Sequence, residues 1–291
     1  MSSIKTKSSR SSSKAASKSP RYFFDSVVSN AINFFDASIE DFQLKPKYSV
    51  INFCSGLELI LKARLLTEHW SLVLKDPERA DLNKFKNGDF ISVMVGDAVE
   101  RLTKACNETF SLDEKKCFEQ LRGHRNKVVH FYHDAYSAKP KQKLLEEIAA
   151  EQSKAWCYLH RRLKGGWSQL FKKHRDAIER IDKALHKHRV FLQAKYATLK
   201  PEIEKEIAAG GEYRSCLACG YLAECVDEIQ TPVHQVDCRV CERSESFVRV
   251  SCPKCRTMSD IDDTASGYCE NKKCVAEIAL KDIMKQYVPR H

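Results

Sequence analysis

The sequence predicts a mainly α-helical protein that ends in a small zinc-ribbon-like module with short β-strands. Two observations support this fold class. Before residue 210 the apolar residues recur at helical spacing, and no segment shows convincing strand alternation. After residue 215, eight of the thirteen cysteines fall into four closely spaced pairs, which is typical of structural zinc sites.

The first half of the chain is expected to form a compact helical bundle over residues 22–138. Apolar residues at helical intervals predict a helix over residues 22–44. The breaker KPK then separates it from a strongly apolar helix over residues 48–74.

Two further helices complete this bundle. The stretch DFISVMVGDAVERLTKAC predicts a helix that begins near Gly88 or Asp89. The stretch SLDEKKCFEQL begins another helix, because Ser111 and Glu114 have the spacing of a capping box.

A basic helical extension is expected over residues 139–211, with a break at KGGW (164–167) and an end at AAGG. Its second half has a heptad-like seam, although three of the nine seam positions are polar. A long helix packed on the bundle is therefore favoured over an independent coiled coil. The seam consists of Phe171, His174, Ile178, Ile181, Leu185, His188, Leu192, Lys195 and Leu199.

Positive charge is concentrated in two segments. The net charge of the chain is +10, and residues 139–200 alone carry 16 positive and 6 negative charges. Residues 22–138 are nearly balanced, with 15 positive and 17 negative charges. If the chain binds a polyanion, the extension and the N-terminal tail are the expected contacts, and a solubilising surface is the alternative.

Residues 1–21 are expected to be a disordered basic tail, because they cannot bury enough apolar surface to offset their ordering entropy. No apolar run reaches the roughly 18 residues that span a bilayer. The start lacks the apolar core of a secretory signal, although a basic, Ser-rich transit peptide is compatible with its composition. A cytoplasmic location without membrane contact is the expectation.

The cysteine pairs predict two zinc sites in a module over residues 212–291. Two tight turns, each presenting two thiolates, complete one tetrahedral Zn²⁺ site. Sequential pairing of the turns is the simplest assignment, and a cross-braced pairing remains open. Because each shell is all cysteine, two structural zinc ions and no catalytic metal are expected. The ligands are Cys216, Cys219, Cys238, Cys241, Cys252, Cys255, Cys269 and Cys274.

The module is expected to end in a helix and to serve in recognition of a protein partner or substrate, or merely to cap the chain. Its slightly acidic composition speaks against nucleic-acid binding by the module itself. The cysteines outside the pairs are interpreted as small apolar residues or free thiols. They are Cys54, Cys106, Cys117, Cys157 and Cys225.

A second cluster of chemical groups occurs in QLRGHRNKVVHFYHD, residues 120–134. His130 has an unperturbed pKa suited to proton transfer near neutral pH. Arg125 offers a planar, permanently charged fork for phosphate oxygens, and Asn126 shares a helix face with His130. Because Arg125 lies about 100° around the helix from Asn126, a single helix cannot direct Arg125 and His130 at one small group. Two facing copies could do so.

RNKVVHFY resembles the R-x4-H-x-Y motif of HEPN domains, with Arg125, His130 and Tyr132 at the motif positions and Asn126 as the polar residue after the arginine. GLELILKARLLTEHW resembles the second helix of that family. The resemblance covers about residues 22–138. It implies a helical bundle that dimerises, with the two motifs lining a shared cleft.

The resemblance also implies a function. Many HEPN domains are metal-independent endoribonucleases of toxin–antitoxin and phage-defence systems, so RNA is the implied substrate and Arg125, His130 and Asn126 are the implied catalytic residues. Tyr132 occupies the position that is modified with AMP in some of these toxins. Other relatives are non-catalytic, and a sensor or adaptor is the alternative. The basic extension and the cysteine sites depart from the small toxins of the family.

Overall fold

The computed structural model describes residues 20–130, 134–136, 142–262, 266–274 and 276–279. Most of the basic tail expected over residues 1–21 lies outside the described residues. Tyr132 and the segment in which a terminal helix is expected lie outside them as well.

The described part of the chain is mainly helical, as predicted. Short 3-10 helices occur at Trp70–Val73, Pro77–Arg79, Asp134–Tyr136 and Lys172–His174. None of the helices in the described ranges combines the length and the apolar character that crossing a membrane requires. The α-helices are α1 (Pro20–Leu44), α2 (Pro46–Leu66), α3 (Leu82–Asn87), α4 (Val95–Ala105), α5 (Leu112–His130), α6 (Gln142–Lys164), α7 (Arg175–Leu185) and α8 (Arg189–Ala208).

The chain divides into two compact units. The first spans Met1–His133 and Arg162–Ile178, and the second spans Asp134–Arg161 and Glu179–His291. Each unit therefore contains part of the helical extension predicted over residues 139–211. The predicted domain boundaries, between the bundle and the extension near residue 138 and between the extension and the cysteine module near residue 211, stay predictions.

The first unit is built on the close packing of α1 against α2. A β-carbon added at Gly56 would lie 2.9 Å from the ring of Phe35, so only glycine permits this approach of the two helices. Phe35 in turn packs against Phe53, with ring centroids 5.3 Å apart. Pro46 occupies the first turn of α2, where its missing N–H leaves no hydrogen bond unmade, and this explains the break after α1.

The segment after α6 completes the core of the first unit. Phe171 is buried and its ring lies 5.2 Å from that of Phe24 in α1. Trp167 is also buried, and its indole N–H donates to Glu108 at 2.8 Å. These two aromatic side chains explain why part of the extension belongs to the first unit.

The start of α5 confirms the predicted cap. The Ser111 hydroxyl accepts a hydrogen bond from the backbone N–H of Glu114 at 3.1 Å. The Glu114 carboxylate does not complete a capping box, because it is buried and receives two hydrogen bonds from Arg162 instead.

In the second unit the extension is not one long helix, so the expectation of a continuous seam over residues 171–199 was wrong. The α-helix α7 ends at Leu185 and α8 begins at Arg189. His188 between them has extended backbone angles (φ −102°, ψ 119°), which break the helical hydrogen-bond ladder. Leu185 of the seam is buried before this break. After it, Phe191, which lies outside the seam, is buried, whereas the seam residue Leu192 is only half-buried.

The cysteine-rich part of the second unit is a five-stranded antiparallel sheet with the strand order β1-β2-β3-β4-β5, followed by a β6–β7 hairpin. Each strand pairs with its neighbours in sequence, so the turns alternate between the two ends of the sheet. The short strands predicted here are confirmed. They are β1 (Tyr213–Ser215), β2 (Leu222–Gln230), β3 (Val233–Cys238), β4 (Ser244–Ser251), β5 (Met258–Asp262), β6 (Ser266–Tyr268) and β7 (Glu277–Ala279).

Candidate active site and metal centres

The motif residues lie on the last turns of α5. Arg125 is largely buried, with 18% of its side chain exposed, whereas His130 at the end of the helix is exposed. Val129 beside it is an exposed apolar side chain. The C-terminal end of α5 therefore presents an imidazole and an apolar side chain to solvent.

Arg125 is held by a carboxylate from α2. Its guanidinium Nη2 lies 3.6 Å from Glu58 Oε2, and both side chains are 18% exposed. Glu58 Oε1 accepts a hydrogen bond from Lys62 Nζ at 2.6 Å, and Lys62 also donates to the Ser92 hydroxyl at 2.8 Å. Glu58 Oε2 is buried and accepts no hydrogen bond. Among the described residues, the pair is thus an electrostatic contact without a hydrogen bond between the guanidinium and the carboxylate.

Asn126 contributes a second unsatisfied atom. Its amide oxygen Oδ1 is buried and has no hydrogen-bond partner among the residues that the structure describes. An unpaired buried acceptor costs about 1–3 kcal/mol, so a structure retains one only where something else compensates. Two such acceptors are thus associated with Arg125. Glu58 Oε2 lies 3.6 Å from its guanidinium, and Asn126 is the next residue of α5.

The helix geometry separates Arg125 from His130. Five residues of α-helix correspond to a rotation of about 140° and a rise of about 7.5 Å. The two side chains of one chain therefore point in different directions, and this supports the expectation that two copies would be needed to bring them to one phosphate.

Sequence reasoning missed Glu58 and Lys62 as members of this site. A signal was present, because the two charges lie four residues apart inside the otherwise apolar stretch GLELILKARLL. Charges in an apolar helix are rarely buried without a partner. The contact of Glu58 with Arg125, 67 positions later, could not be predicted from that spacing.

The eight paired cysteines form two groups in the predicted sequential order. Cys216, Cys219, Cys238 and Cys241 make the first tetrad, and the second consists of Cys252, Cys255, Cys269 and Cys274. All thirteen cysteines fall in the described residues and none forms a disulfide. Cross-bracing is excluded by this arrangement.

The turns of the tetrads share one backbone conformation. Gly220, Glu242 and Arg256 each follow the second cysteine of a C-x2-C pair, and each has a positive φ, of 79°, 60° and 64°. The backbone N–H of each donates to the carbonyl of the first cysteine of its pair at 2.8–2.9 Å. This closes a tight loop in which both sulfur atoms face the same side.

The sulfur separations fit a tetrahedral metal ion. In the first tetrad Sγ of Cys216 lies 3.6 Å from that of Cys241, and Sγ of Cys219 lies 3.7 Å from that of Cys238. In the second tetrad the corresponding distances are 3.8 Å and 3.4 Å. A Zn–S bond of about 2.3 Å predicts sulfur atoms about 3.8 Å apart. The two tetrads could therefore each hold one structural metal ion.

The two tetrads have different surroundings. The first packs on α8, where Ile203 is buried against Cys216 and Val240. The second is surrounded by the sheet, with Val250 and Ile261 as neighbours. They are formed at opposite ends of β4, whose eight residues span roughly 26 Å, so the sites are independent of each other.

Cys54 shows that a cysteine outside the tetrads can be inert. It is buried in α2, and its thiol donates to the Leu121 carbonyl at 3.4 Å. Burial raises the pKa of the Cys54 thiol to about 12. This agrees with the interpretation of the unpaired cysteines as small apolar residues.

A basic surface lies in the second unit between α7 and α8. Residues 183–200 contain five Lys or Arg residues and no carboxylate. Lys183, Lys187 and Arg189 are exposed, and none of them forms an ion pair with another described residue. We call these three residues the basic surface.

No family model, curated protein or solved structure matches this chain.

Proposed function

We propose that this chain is a metal-independent endoribonuclease of the HEPN type that acts as a homodimer. The observation that carries the proposal is the environment of the motif helix. Arg125 lies 3.6 Å from Glu58 without a hydrogen bond to it, and His130 is exposed at the helix end. Asn126, the residue after Arg125, has a buried amide oxygen that is unpaired among the described residues.

The proposed roles follow from the chemistry of RNA cleavage. A base must remove the proton from the 2′-hydroxyl, and a cation must stabilise the charge that develops on the phosphate. His130 transfers the proton, as base or as acid, and Arg125 binds the phosphate oxygens. Asn126 orients the phosphate or His130. Glu58 positions the Arg125 guanidinium.

A dimer follows from the separation of these groups on α5. The arginine of one chain and the histidine of its partner would face one phosphate, so that each chain completes the site of the other. The exposed Val129 next to His130 supplies apolar surface for this contact. The basic surface would bind the RNA backbone.

The four-cysteine sites take part as structural centres. We propose zinc as the metal, because tetrathiolate shells with no open position are typical of structural zinc. Their sheet would serve in recognition of a substrate or a protein partner. The context of toxin–antitoxin or phage defence, with AMP modification of Tyr132, belongs to the same proposal.

The test is cleavage of mixed RNA by the purified chain in the presence and absence of EDTA. The expected products carry 2′,3′-cyclic phosphate and 5′-hydroxyl ends, and 2′-deoxy substrates should be inert because they lack the nucleophile. His130→Ala should abolish cleavage, while His69→Ala, at an exposed histidine outside the motif, should not. Cleavage by His130→Ala at the wild-type rate would exclude the assignment.

A non-catalytic sensor or adaptor is the second candidate. The near neutrality of residues 22–138 favours it, because a nuclease cleft usually gathers positive charge. The contact of Arg125 with Glu58 is compatible with a purely structural arginine. In that case no RNA is cleaved by the wild-type chain, and its overexpression leaves cell growth unchanged.

A further inference from the structure

A third group of metal-ligating side chains lies in the second unit, and none of its members is a ligand of either tetrad. Asp182, His186 and Glu242 each offer one ligand atom, and these atoms all lie within 4.8 Å of one another. Asp182 and His186 are four residues apart at the end of α7, so they share a face. Glu242 comes from the turn that follows Cys241.

Asp182 is oriented as the carboxylate ligands of metal sites are. It is 1% exposed. Its Oδ1 accepts hydrogen bonds from the Trp156 indole N–H at 2.7 Å and from His160 Nδ1 at 3.1 Å. Its Oδ2 is buried, accepts no hydrogen bond and faces the cluster, 3.6 Å from His186 Nδ1. One oxygen is thus fixed by the protein and the other is left for a ligand.

The His186 ring is likewise held by a hydrogen bond to the protein on one nitrogen, while its other nitrogen faces the cluster. Its Nε2 accepts a hydrogen bond from Lys195 at 2.8 Å, so its N–H is on Nδ1. A ring N–H of His186 is bonded to the Val240 carbonyl. Burial and the nearby charge of Lys195 lower the pKa of His186. A neutral imidazole with one fixed N–H is the form that binds metal ions.

Glu242 is placed by the first cysteine tetrad. It has a positive φ of 60°, a conformation that is unfavourable for a glutamate, because the turn after Cys241 requires it. Its side chain is 37% exposed, so the cluster is open to solvent on this side.

The Lys195 ammonium is the group that an ion must displace. It lies 2.8 Å from His186 Nε2, 3.0 Å from Glu242 Oε1 and 3.9 Å from Asp182 Oδ2. It therefore satisfies the histidine and one carboxylate but forms no hydrogen bond with the other. One positive charge faces two carboxylates, whereas a divalent ion would balance both.

We propose that Asp182, His186 and Glu242 form a third metal site, for a divalent first-row transition ion, which displaces the Lys195 ammonium toward solvent. Zinc suits this donor set, because it accepts one imidazole and two carboxylates with an open fourth position. The mixed oxygen and nitrogen ligands distinguish the site from the tetrathiolate sites. The proposal does not depend on ribonuclease activity.

The experiment measures metal binding by the full chain. Protein that holds two zinc ions is dialysed against Zn²⁺, and the bound metal is counted by elemental analysis. In a parallel titration Co²⁺ is added to the two-zinc protein. The third ion should give the weak visible bands of oxygen and nitrogen ligation, without the intense thiolate charge-transfer absorption.

The expected result is three ions per wild-type chain and two in Glu242→Gln and His186→Asn. The matched control is Glu202→Gln, an exposed carboxylate on α8 that contacts Arg161 and Arg239 and should leave the count at three. Lys195→Met should bind the third ion about tenfold more tightly, because the competing charge is removed.

Two results would overturn the proposal. One is a count of two ions in both the wild type and Lys195→Met, which would mean that Lys195 is the permanent counter-ion of the cluster. The other is a third ion that persists in Glu242→Gln and His186→Asn with unchanged affinity. The two tetrad ions that remain in every variant show that the module is folded.

Discussion

The variant Arg125→Met distinguishes a catalytic role of Arg125 from a purely structural role, because the two roles predict different losses of stability and activity. The guanidinium lies 3.6 Å from Glu58, beyond hydrogen-bond contact, and both side chains are 18% exposed. Such a partly solvated ion pair contributes about 1 kcal/mol. Glu58 keeps Lys62 as a partner at 2.6 Å in the variant, so no carboxylate is left without a counter-charge. We expect Arg125→Met to cost about 1 kcal/mol, or about 3 °C in melting temperature for a unit of this size.

Activity should respond much more strongly than stability. Loss of a group that stabilises transition-state charge lowers the rate by at least about 100-fold. The assays are thermal denaturation followed by circular dichroism and initial rates of RNA cleavage. Arg122→Met is the matched control, because Arg122 lies on the same helix and is paired with Glu119. A loss of about 3 kcal/mol or more in Arg125→Met, or cleavage at the wild-type rate, would refute the reasoning.

Three further predictions concern stability. Cys252→Ser should remove one of the two tetrad ions and expose β5–β7 to hydrogen exchange, while the first tetrad keeps its ion, because β4 separates the sites. Arg162→Ala should lower the free energy of unfolding by about 3 kcal/mol in denaturant titrations, because it leaves the buried Glu114 carboxylate without its partner. For Asp25, burial opposes ionisation, but hydrogen bonds with Lys173 and His174 lower its pKa. Its contribution is therefore present above the ordinary pKa of about 4 and lost as pH falls below it, so the melting temperatures of Asp25→Asn and the wild type should differ at pH 7 and converge on acidification.

The cysteine sites were predictable because their geometry is local. Each C-x2-C turn is closed by a hydrogen bond within five residues, from Gly220 to Cys216 or from Glu242 to Cys238. A meander of neighbouring strands then brings two such turns together at one end of the sheet. Sequential pairing follows from strand order, and strand order follows from short connections.

The helical extension was less predictable, since two different structures share its pattern. Apolar residues at spacings of three and four describe a continuous seam as well as two helices that each bury one side. The break at His188 contains neither glycine nor proline, so no local signal marks it. Asp182 and His186 lie in the same stretch and were not singled out from the sequence, although residues four apart on a helix share a face.

The buried charges of α2 illustrate how structure and function can be told apart. Arg64 is 7% exposed and donates hydrogen bonds to Glu108, Thr67 and Glu68 at 2.7–3.0 Å. These bonds explain its burial as a contribution to the fold. Glu58, two turns earlier on the same helix, keeps a buried oxygen without a hydrogen bond. Folding alone favours the first arrangement and penalises the second. Among the described residues, Arg125 thus contacts a carboxylate with an unsatisfied oxygen, whereas the partners of Arg64 are hydrogen-bonded. This difference favours the proposal that Arg125 binds a ligand.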